Sequence, residues 1–153
     1  MKGLEMEFNT AFGFVPIDKR RTISKPRKSG ITMVSDYQLG LASLSDLIEV
    51  AGHYIDLFKI ATGTSRLFEK THLQAKIEML RANDIRPFLG GQFQEYVLHT
   101  MGVDAMPRHL SEAQALGFDI IEISDNMVQL GQGLRQQLFD MVRDQGMTPV
   151  GEI

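Results

Sequence analysis

The chain has 153 residues, a formal net charge of −3 and no cysteine. This length suffices for one domain with a hydrophobic core, and 43% hydrophobic with 23% charged residues is ordinary for a soluble globular protein. Without cysteine, disulfides, thiolate metal sites and cysteine nucleophiles are excluded. The apolar runs are too short to span a bilayer and no secretory leader is recognisable, so we expect a cytoplasmic protein.

The first part of the chain is basic, although the whole chain is acidic. Residues 1–30 contain seven Lys/Arg and three Asp/Glu, whereas residues 31–153 contain nine and sixteen. The stretch DKRRTISKPRK (18–28) is compatible with contact to nucleic acid, with a solvated N-terminal arm, or with an arm beside an anion site. The solvated arm is favoured, so residues 1–29 are predicted to be irregular, and no nucleic-acid partner is expected.

From Gly30 onward, five short apolar strands alternate with amphipathic helices. The predicted strands are ITMVSD (31–36), YIDLFKIA (54–61), IRPFLG (85–90), FDIIEI (118–123) and MTPVGEI (147–153). The predicted helices cover residues 43–52, 68–84, 92–101, 108–116 and 131–146. Ser43 or Ser45 is expected to cap the first helix, and Leu73, Ile77 and Leu80 share one face of the second. Glycines are expected to end three helices, namely Gly52, Gly102 and Gly117.

The regular alternation places residues 30–153 in the α/β class. A strand-to-strand spacing of 23 to 33 residues predicts parallel strands joined by right-handed crossovers. Two architectures are built from such units, the (β/α)₈ barrel and the open doubly wound sheet. The dinucleotide signature GxGxxG is absent after the first strand, and ATGTS (61–65) lacks the Walker lysine, so nucleotide binding is not supported.

Polar residues and glycines recur where the predicted strands end. They are Asp36, Lys59, Thr62, Gly63, Thr64, Ser65, Gly90, Gly91, Glu95, Glu122, Ser124, Asp125 and Glu152. Parallel β/α folds gather their chemistry at these carboxyl ends. Several carboxylates near one lysine suit a hard cation such as Mg²⁺, and glycines let backbone N–H groups approach an anion. We therefore expect a ligand site at this edge of the sheet.

Several of these residues also have purely structural interpretations. Asp36 and Asp125 could cap helices or turns, and Gly90-Gly91 could be an ordinary strand-to-helix turn. Glu122 could form a structural ion pair with Lys59, because an unpaired buried carboxylate is costly. The four histidines are scattered without metal-ligand spacing, and the nine methionines are interpreted as core residues.

Five segments, in order along the chain, resemble the phosphosulfolactate synthase family. They are KPRKSGITMVSD (25–36), AGHYIDLFKIATGTS (51–65), LGGQFQEY (89–96), ALGFDIIEISDN (115–126) and VGEI (150–153). The resemblance implies a parallel (β/α)₈, TIM-barrel-like fold. It also implies a lyase that adds sulfite to phosphoenolpyruvate with Mg²⁺ and forms (2R)-3-phosphosulfolactate, for coenzyme M or sulfolactate biosynthesis.

The resemblance further implies roles for the residues at the strand ends. Sulfite would attack the methylene carbon of phosphoenolpyruvate, charge would build on the substrate carboxylate, and an acid would protonate C2. Lys59 and Glu122 are the expected catalytic residues, and Glu122 and Glu152 the expected Mg²⁺ ligands. The residues expected to bind substrate are Asp36, Gly63, Thr64, Ser65, Gly90, Gly91, Ser124 and Asp125.

The chain departs from the family pattern in length and in two loops. A family barrel needs eight β/α units, and the sequence contains about four and a half, so we expect an N-terminal portion. The family's fifth-strand glutamate is followed by glycine and then by a lysine expected to donate the proton, whereas Ile153 follows Glu152. SDYQLG (35–40) and GGQFQE (90–95) replace the more usual LDKG and GGTLFE, which bears on substrate preference.

Two other functions are compatible with the same residues. One is a non-enzymatic relative, similar to a plant heat-stress-associated protein of the same family. The other is a half-barrel binding module whose open sheet edges are covered by self-association. A homo-oligomer is expected whether the protein is an enzyme or a binding module.

Overall fold

The computed structural model describes residues 11–16, 18, 20, 22 and 24–152. Within them lies a five-stranded, all-parallel sheet in the order β1-β2-β3-β4-β5. The strands are β1 Met33–Asp36, β2 Leu57–Ile60, β3 Arg86–Leu89, β4 Ile120–Ser124 and β5 Thr148–Glu152. The predictions for residues 1–10, 17, 19, 21 and 23 of the basic arm, and for Ile153, lie outside the described residues.

Five α-helices follow the strands in the predicted alternation. They are α1 Leu41–Ala51, α2 Lys70–Arg81, α3 Gly91–Met101, α4 Met106–Leu116 and α5 Gln132–Asp144. Short 3₁₀ turns cover Gly52–Tyr54, Thr64–Leu67 and Val103–Ala105. None of the described helices is long and apolar enough to cross a membrane.

The predicted helix ends are confirmed, but the predicted cap of α1 is wrong. Gly52, Gly102 and Gly117 follow α1, α3 and α4. Helix α1 begins directly after Gly40, which has no side chain to cap it, so Ser43 and Ser45 lie inside the helix. The helix starts early because Leu44 is fully buried and its amide already donates to the Gly40 carbonyl at 3.0 Å.

The sequential strand order distinguishes between the two candidate architectures, the (β/α)₈ barrel and the doubly wound sheet. A doubly wound sheet reverses its strand order and carries helices on both faces. Here each crossover leads to the adjacent strand, so right-handed connections leave all helices on one face. That face carries Phe58, Ile60, Leu89 and Ile121, which form one core with buried helix residues such as Leu73, Ile77, Leu80, Leu110 and Leu138. The arrangement is consistent with part of a TIM-barrel-like fold.

The opposite face of the sheet carries the polar residues. Ser35, Lys59, Phe88, Ile120 and Thr148 stand in one row across the five strands. Since side chains alternate along a strand, Glu122 and Ser124 share this face, as does Glu152, which is paired with Ser124. Lys59, Glu122 and Glu152 are therefore brought to one face of the sheet near its carboxyl end.

Two residues of the basic stretch, Lys25 and Arg27, pack at the amino-terminal end of the sheet. Arg27 Nε donates to Asp56 at 2.9 Å and Nη1 to the His53 carbonyl at 3.0 Å. The Lys25 ammonium donates to the Gly52 carbonyl at 2.7 Å. The Arg27 side chain is only 6% exposed, so it belongs to the folded structure and not to a solvated arm.

His109 on α4 is the histidine most affected by folding. Its ring meets Phe93 edge-on, with the ring centroids 5.0 Å apart, and burial lowers its pKa from 6.5 to about 4. As the pH falls below 6.5, the unfolded chain takes up this proton before the folded chain does. The contribution of neutral, buried His109 to the stability of the fold is therefore fully present above pH 6.5. It is lost as the pH falls from 6.5 through about 4.

We expect His109→Gln to remove this contribution because glutamine does not titrate. Between pH 7 and pH 4 the free energy of unfolding of the unsubstituted chain should fall by roughly 1–3 kcal/mol more than that of the variant. Urea unfolding at several pH values measures the difference. His99→Gln, at an exposed position on α3, is the matched control. Identical pH profiles for the chain and for His109→Gln would contradict the assignment.

Candidate functional site

A cavity of about 140 Å³ opens at the carboxyl ends of the strands, on the sheet face opposite the helices. Five of the predicted site residues line it, namely Lys59, Gly90, Gly91, Glu122 and Glu152. Thr62, which follows the second predicted strand, also lines it, as do Ser35, Tyr37 and Gln92, which were not predicted. Thr62 has a φ of +54°, a left-handed conformation uncommon outside glycine, and such backbone strain clusters at functional sites.

Lys59 and Glu122 form an ion pair on the cavity wall. Lys59 Nζ lies 2.7 Å from Glu122 Oε1, and the side chains are 14% and 5% exposed. The Gly91 amide donates to Glu122 Oε2 at 2.6 Å. Each carboxylate oxygen thus has a donor, which offsets the cost of burying the charge. The predicted structural ion pair exists, and it forms part of the cavity instead of closing it.

The two glycines make this contact possible. Lys59 on β2 and Glu122 on β4 meet across β3, at the level of Gly90, the residue that follows β3. A Cβ at Gly90 would lie 3.1 Å from the Ile60 carbonyl oxygen and 3.3 Å from Lys59 Cε. A Cβ at Gly91 would lie 2.7 Å from Ser124 Cβ and 3.0 Å from Glu122 Cγ. The turn is therefore both a strand-to-helix connection and a requirement of the site.

We expect Gly91→Ala to destabilise the fold, because the added methyl group forces α3 away from β4 and weakens the amide contact to Glu122. Overpacking of this kind costs about 1–3 kcal/mol, measured as the free energy of unfolding in urea. Gly133→Ala in α5 is the matched control, since its Cβ meets nothing within 4 Å and alanine favours a helix. Equal shifts of the two unfolding midpoints would contradict the close packing at Gly91.

Glu95 on α3 organises the loop after β4; sequence analysis placed it near the strand ends but assigned it no individual role. Glu95 is fully buried; its Oε1 accepts from the Ser124 hydroxyl, and its Oε2 accepts from the amides of Met127 at 2.5 Å and Val128 at 2.8 Å. Burial raises the pKa of Glu95, but the Ser124 hydroxyl and the amides of Met127, Val128 and Asn126 outweigh it and lower the pKa. An ionised Glu95 thus fixes the loop.

This loop connects Glu95 to the cavity. Asn126 Nδ2 donates to Glu152 Oε2 at 3.0 Å, so the fixed loop orients one of the cavity carboxylates. Ser124 is fully buried; its amide donates to Gln94 Oε1 at 3.2 Å, and its hydroxyl to Glu95. Ser124 therefore links β4 to helix α3 and does not line the cavity. Its contact with substrate stays a prediction.

Other predicted substrate residues lie away from this cavity. Asp36 faces the helices, where it pairs with Lys76 of α2 and accepts from the Leu39 amide at 2.7 Å, as its turn-capping interpretation requires. Asp125 pairs with Arg135 of α5. The Thr64 hydroxyl donates to the Ala61 carbonyl at 2.9 Å.

Two more predicted substrate residues belong to the loop after β2. Gly63 has a φ of +74° and lies against Phe93, toward which a Cβ would point at 3.5 Å. Ser65 lines a second cavity within the helical layer. Of this loop, Ala61 and Thr62 face the first cavity, and the substrate contacts of Gly63 and Ser65 stay predictions.

The donor groups of the cavity fit magnesium. Among the described residues, no group of three or more His, Asp or Glu is arranged as a metal cage. Glu122 and Glu152 bring two carboxylates to the cavity wall. Magnesium is commonly held by one or two carboxylates, with water and substrate oxygens completing its shell. Both oxygens of Glu122 already accept hydrogen bonds, yet a carboxylate has further lone pairs available for a cation.

Comparison with known proteins identifies the family. Residues 20–153 match the family model described as (2R)-phospho-3-sulfolactate synthase (ComA). The chain is 36% identical over 129 residues to the phosphosulfolactate synthase of Methanothermobacter thermautotrophicus. The aligned residues make up 84% of this chain and 49% of the relative. It is 29% identical over 124 residues to that of Methanocaldococcus jannaschii, which covers 81% and 48%.

A plant protein also matches. The Arabidopsis thaliana protein HEAT-STRESS-ASSOCIATED 32 is 25% identical over 126 residues, which covers 80% of this chain and 43% of the relative. The chain spans about half the length of the curated relatives it matches. The match over residues 20–153 and the 36% identity establish that the chain belongs to the (2R)-phospho-3-sulfolactate synthase family.

Proposed function

We propose that the natural protein containing this chain catalyses the Mg²⁺-dependent addition of sulfite to phosphoenolpyruvate, forming (2R)-3-phosphosulfolactate. The observation that carries the proposal is the Lys59–Glu122 ion pair, because it lines a cavity at the carboxyl ends of the strands in a chain of this family. In TIM-barrel enzymes this is the end at which catalysis takes place. The product would serve coenzyme M or sulfolactate biosynthesis.

The cavity offers positive charge for an anionic substrate and oxygen ligands for a cation. The Lys59 ammonium would bind and orient phosphoenolpyruvate, while Glu122 holds that ammonium in place at 2.7 Å. Glu122 and Glu152 would hold Mg²⁺. When bound, Mg²⁺ supplies positive charge that stabilises negative charge on a substrate carboxylate.

The reaction requires one new bond and one proton. The sulfur lone pair of sulfite forms a carbon–sulfur bond with the methylene carbon, and the carbon–carbon double bond of phosphoenolpyruvate is lost. Its electrons move toward the carboxylate, and C2 then takes a proton. Lys59 lies on the cavity wall where the anionic carboxylate would be bound, so its positive charge would stabilise the negative charge that builds up there.

We also infer that the sheet is a segment of a closed (β/α)₈ barrel. The sequential strand order and the placement of the helices on one face support this, because both are properties of a barrel wall. In the described sheet β1 and β5 are edge strands, which present unpaired backbone groups to a further strand or a further subunit. A cytoplasmic homo-oligomer is part of the same proposal.

The reaction can be tested on the natural protein that contains residues 1–153. We expect ³¹P NMR of a mixture with phosphoenolpyruvate, sulfite and Mg²⁺ to show a new phosphate ester that does not form when EDTA is added. Sulfate, which has no sulfur lone pair, is the matched control for sulfite and should give no product. Unchanged phosphoenolpyruvate under these conditions would contradict the proposal and favour the non-enzymatic alternative.

A further inference from the structure

The charges of the candidate active-site cavity are distributed unevenly across the sheet. Its charged lining residues are Lys59 on β2, Glu122 on β4 and Glu152 on β5. Because the strands follow one another in sequential order, both carboxylates come from the β4–β5 side, and Lys59 comes from the strand next to β1. Along the sheet, the wall formed by β1 is therefore the part of the cavity farthest from the strands that carry the carboxylates.

Ser35 occupies this β1 wall. It is paired with Lys59 in the parallel register, in neighbouring strands about 4.8 Å apart. Paired residues of adjacent strands project from the same face of a sheet, and Asp36, the next residue, points to the opposite face, where it pairs with Lys76. Ser35 is also exposed and lines the cavity. The register thus directs the Ser35 side chain to the cavity, beside that of Lys59.

The Ser35 hydroxyl is available to a ligand, whereas the charged groups of the cavity already have partners. Lys59 donates to Glu122 at 2.7 Å, and Glu152 accepts from Asn126 at 3.0 Å. Among the described residues, none forms a hydrogen bond with the Ser35 hydroxyl. Tyr37, which follows β1, contributes a second neutral residue to the same wall and is 60% exposed. The β1 side therefore offers a free hydroxyl close to a cation.

Sulfite addition requires two anions to lie side by side in this cavity. A Mg²⁺ ion held by Glu122 and Glu152 would draw the carboxylate of phosphoenolpyruvate toward the β4–β5 side. Sulfite has to present its sulfur lone pair to the methylene carbon while its negatively charged oxygens avoid the two protein carboxylates, because like charges at close range repel each other strongly away from bulk water. The space that remains beside a cation is the one between Lys59 and Ser35.

We propose that Ser35 binds the nucleophile: its hydroxyl donates to an oxygen of sulfite that lies beside the Lys59 ammonium, with the sulfur lone pair left free to attack. A hydroxyl suits this position because it donates to an anion without adding negative charge of its own. This role of Ser35 depends on the proposed sulfite addition, and it adds the residue that determines specificity for the second substrate.

Ser35→Ala in the natural protein that contains residues 1–153 tests this contact. We expect the KM for sulfite to rise about tenfold, the effect of one hydrogen bond to a charged group, while kcat and the KM for phosphoenolpyruvate change less than about twofold. Ser35→Thr keeps a hydroxyl and suits a strand, so it should stay within about threefold of the unsubstituted protein. Ser43→Ala, at an exposed position on α1, is the control. An unchanged KM for sulfite in Ser35→Ala, or an equal rise for phosphoenolpyruvate, overturns the proposal.

Calorimetric titration of sulfite, with Mg²⁺ present and phosphoenolpyruvate absent, separates this role from the reaction. We expect Ser35→Ala to weaken sulfite binding about tenfold and Ser35→Thr to preserve it. If sulfite binds in this Ser35-dependent way but no phosphosulfolactate forms, the proposed reaction fails and the role of Ser35 in binding sulfite stands. If product forms but Ser35→Ala keeps both the affinity and the KM for sulfite, the reaction stands and the role of Ser35 is rejected. Absence of both binding and product contradicts both.

Discussion

Lys76→Met is expected to destabilise the fold by about 3–5 kcal/mol, the typical cost of leaving one partner of a buried ion pair uncompensated. Lys76 and Asp36 are fully buried, and the Lys76 ammonium also donates to the Leu39 carbonyl at 2.7 Å. Removing the ammonium leaves the Asp36 carboxylate between the sheet and α2 without a counter-charge. Urea unfolding, followed by circular dichroism, measures the loss.

A second substitution separates the lost charge from lost packing. Asp36→Asn in the Lys76→Met background removes the orphaned charge and keeps an oxygen for the amides of Gln38 and Leu39. We expect the double variant to recover at least about half of the loss, with a clear coupling in a double-mutant cycle. Lys70→Met, on the same helix but in the exposed pair with Glu112, is the control and should shift the unfolding midpoint little. Additive effects of the two substitutions would contradict this account.

The fold class was predictable because local hydrophobic patterns indicate the strands and helices. Apolar runs of strand length alternate with helical periodicity, as at Leu73, Ile77 and Leu80, and all three of these residues are buried. The strand spacing left two architectures open. The sequential order of the sheet decided between them, and that order depends on pairing between distant segments that a single sequence does not display.

The face of each strand explains which of the predicted site residues reach the cavity. Lys59 lies between Phe58 and Ile60, which face the helices, so alternation turns Lys59 toward the cavity. Asp36 lies two residues after Val34 in β1 and is paired with Ile60 of β2, which faces the helices. The Asp36 side chain therefore points toward the helices, where it pairs with Lys76. Side chains alternate between the two faces of a strand, and this rule applied to β1 would have placed Asp36 on the face opposite the site.

The structural roles that sequence analysis did not assign depend on long-range contacts. Glu95 reaches Ser124, 29 positions away, and Lys76 reaches Asp36, 40 positions away. Both lie on helices, and their neighbours in sequence do not show which residue each side chain contacts. The signal for Lys76 was its place beside the apolar face of α2, where a charge requires a partner. That signal predicts an ion pair but cannot identify the partner.

Lys59→Met is expected to lower kcat/KM for phosphosulfolactate formation by about 10²–10³-fold in the natural protein, the range typical of one lost electrostatic contact to the transition state. Glu122→Gln should cause a loss of the same order, since Glu122 positions Lys59 and contributes to the cation site. Steady-state rates with varied phosphoenolpyruvate and Mg²⁺ measure both effects. Arg81→Met, which removes the remote pair with Asp119, the residue before β4, is the control and should change the rate less than about twofold.

The double variant Lys59→Met/Glu122→Gln distinguishes a catalytic pair from a structural one. If the ion pair only supports the fold, removing both charges restores stability and activity together, because no buried charge is left unpaired. If Lys59 binds the anionic substrate, stability returns but activity does not, and no added Mg²⁺ recovers it. We expect the second outcome, since Lys59 keeps 14% of its side chain exposed at the cavity whereas the purely internal Lys76 is fully buried. A double variant that regains most of its activity would leave the pair with a structural role alone.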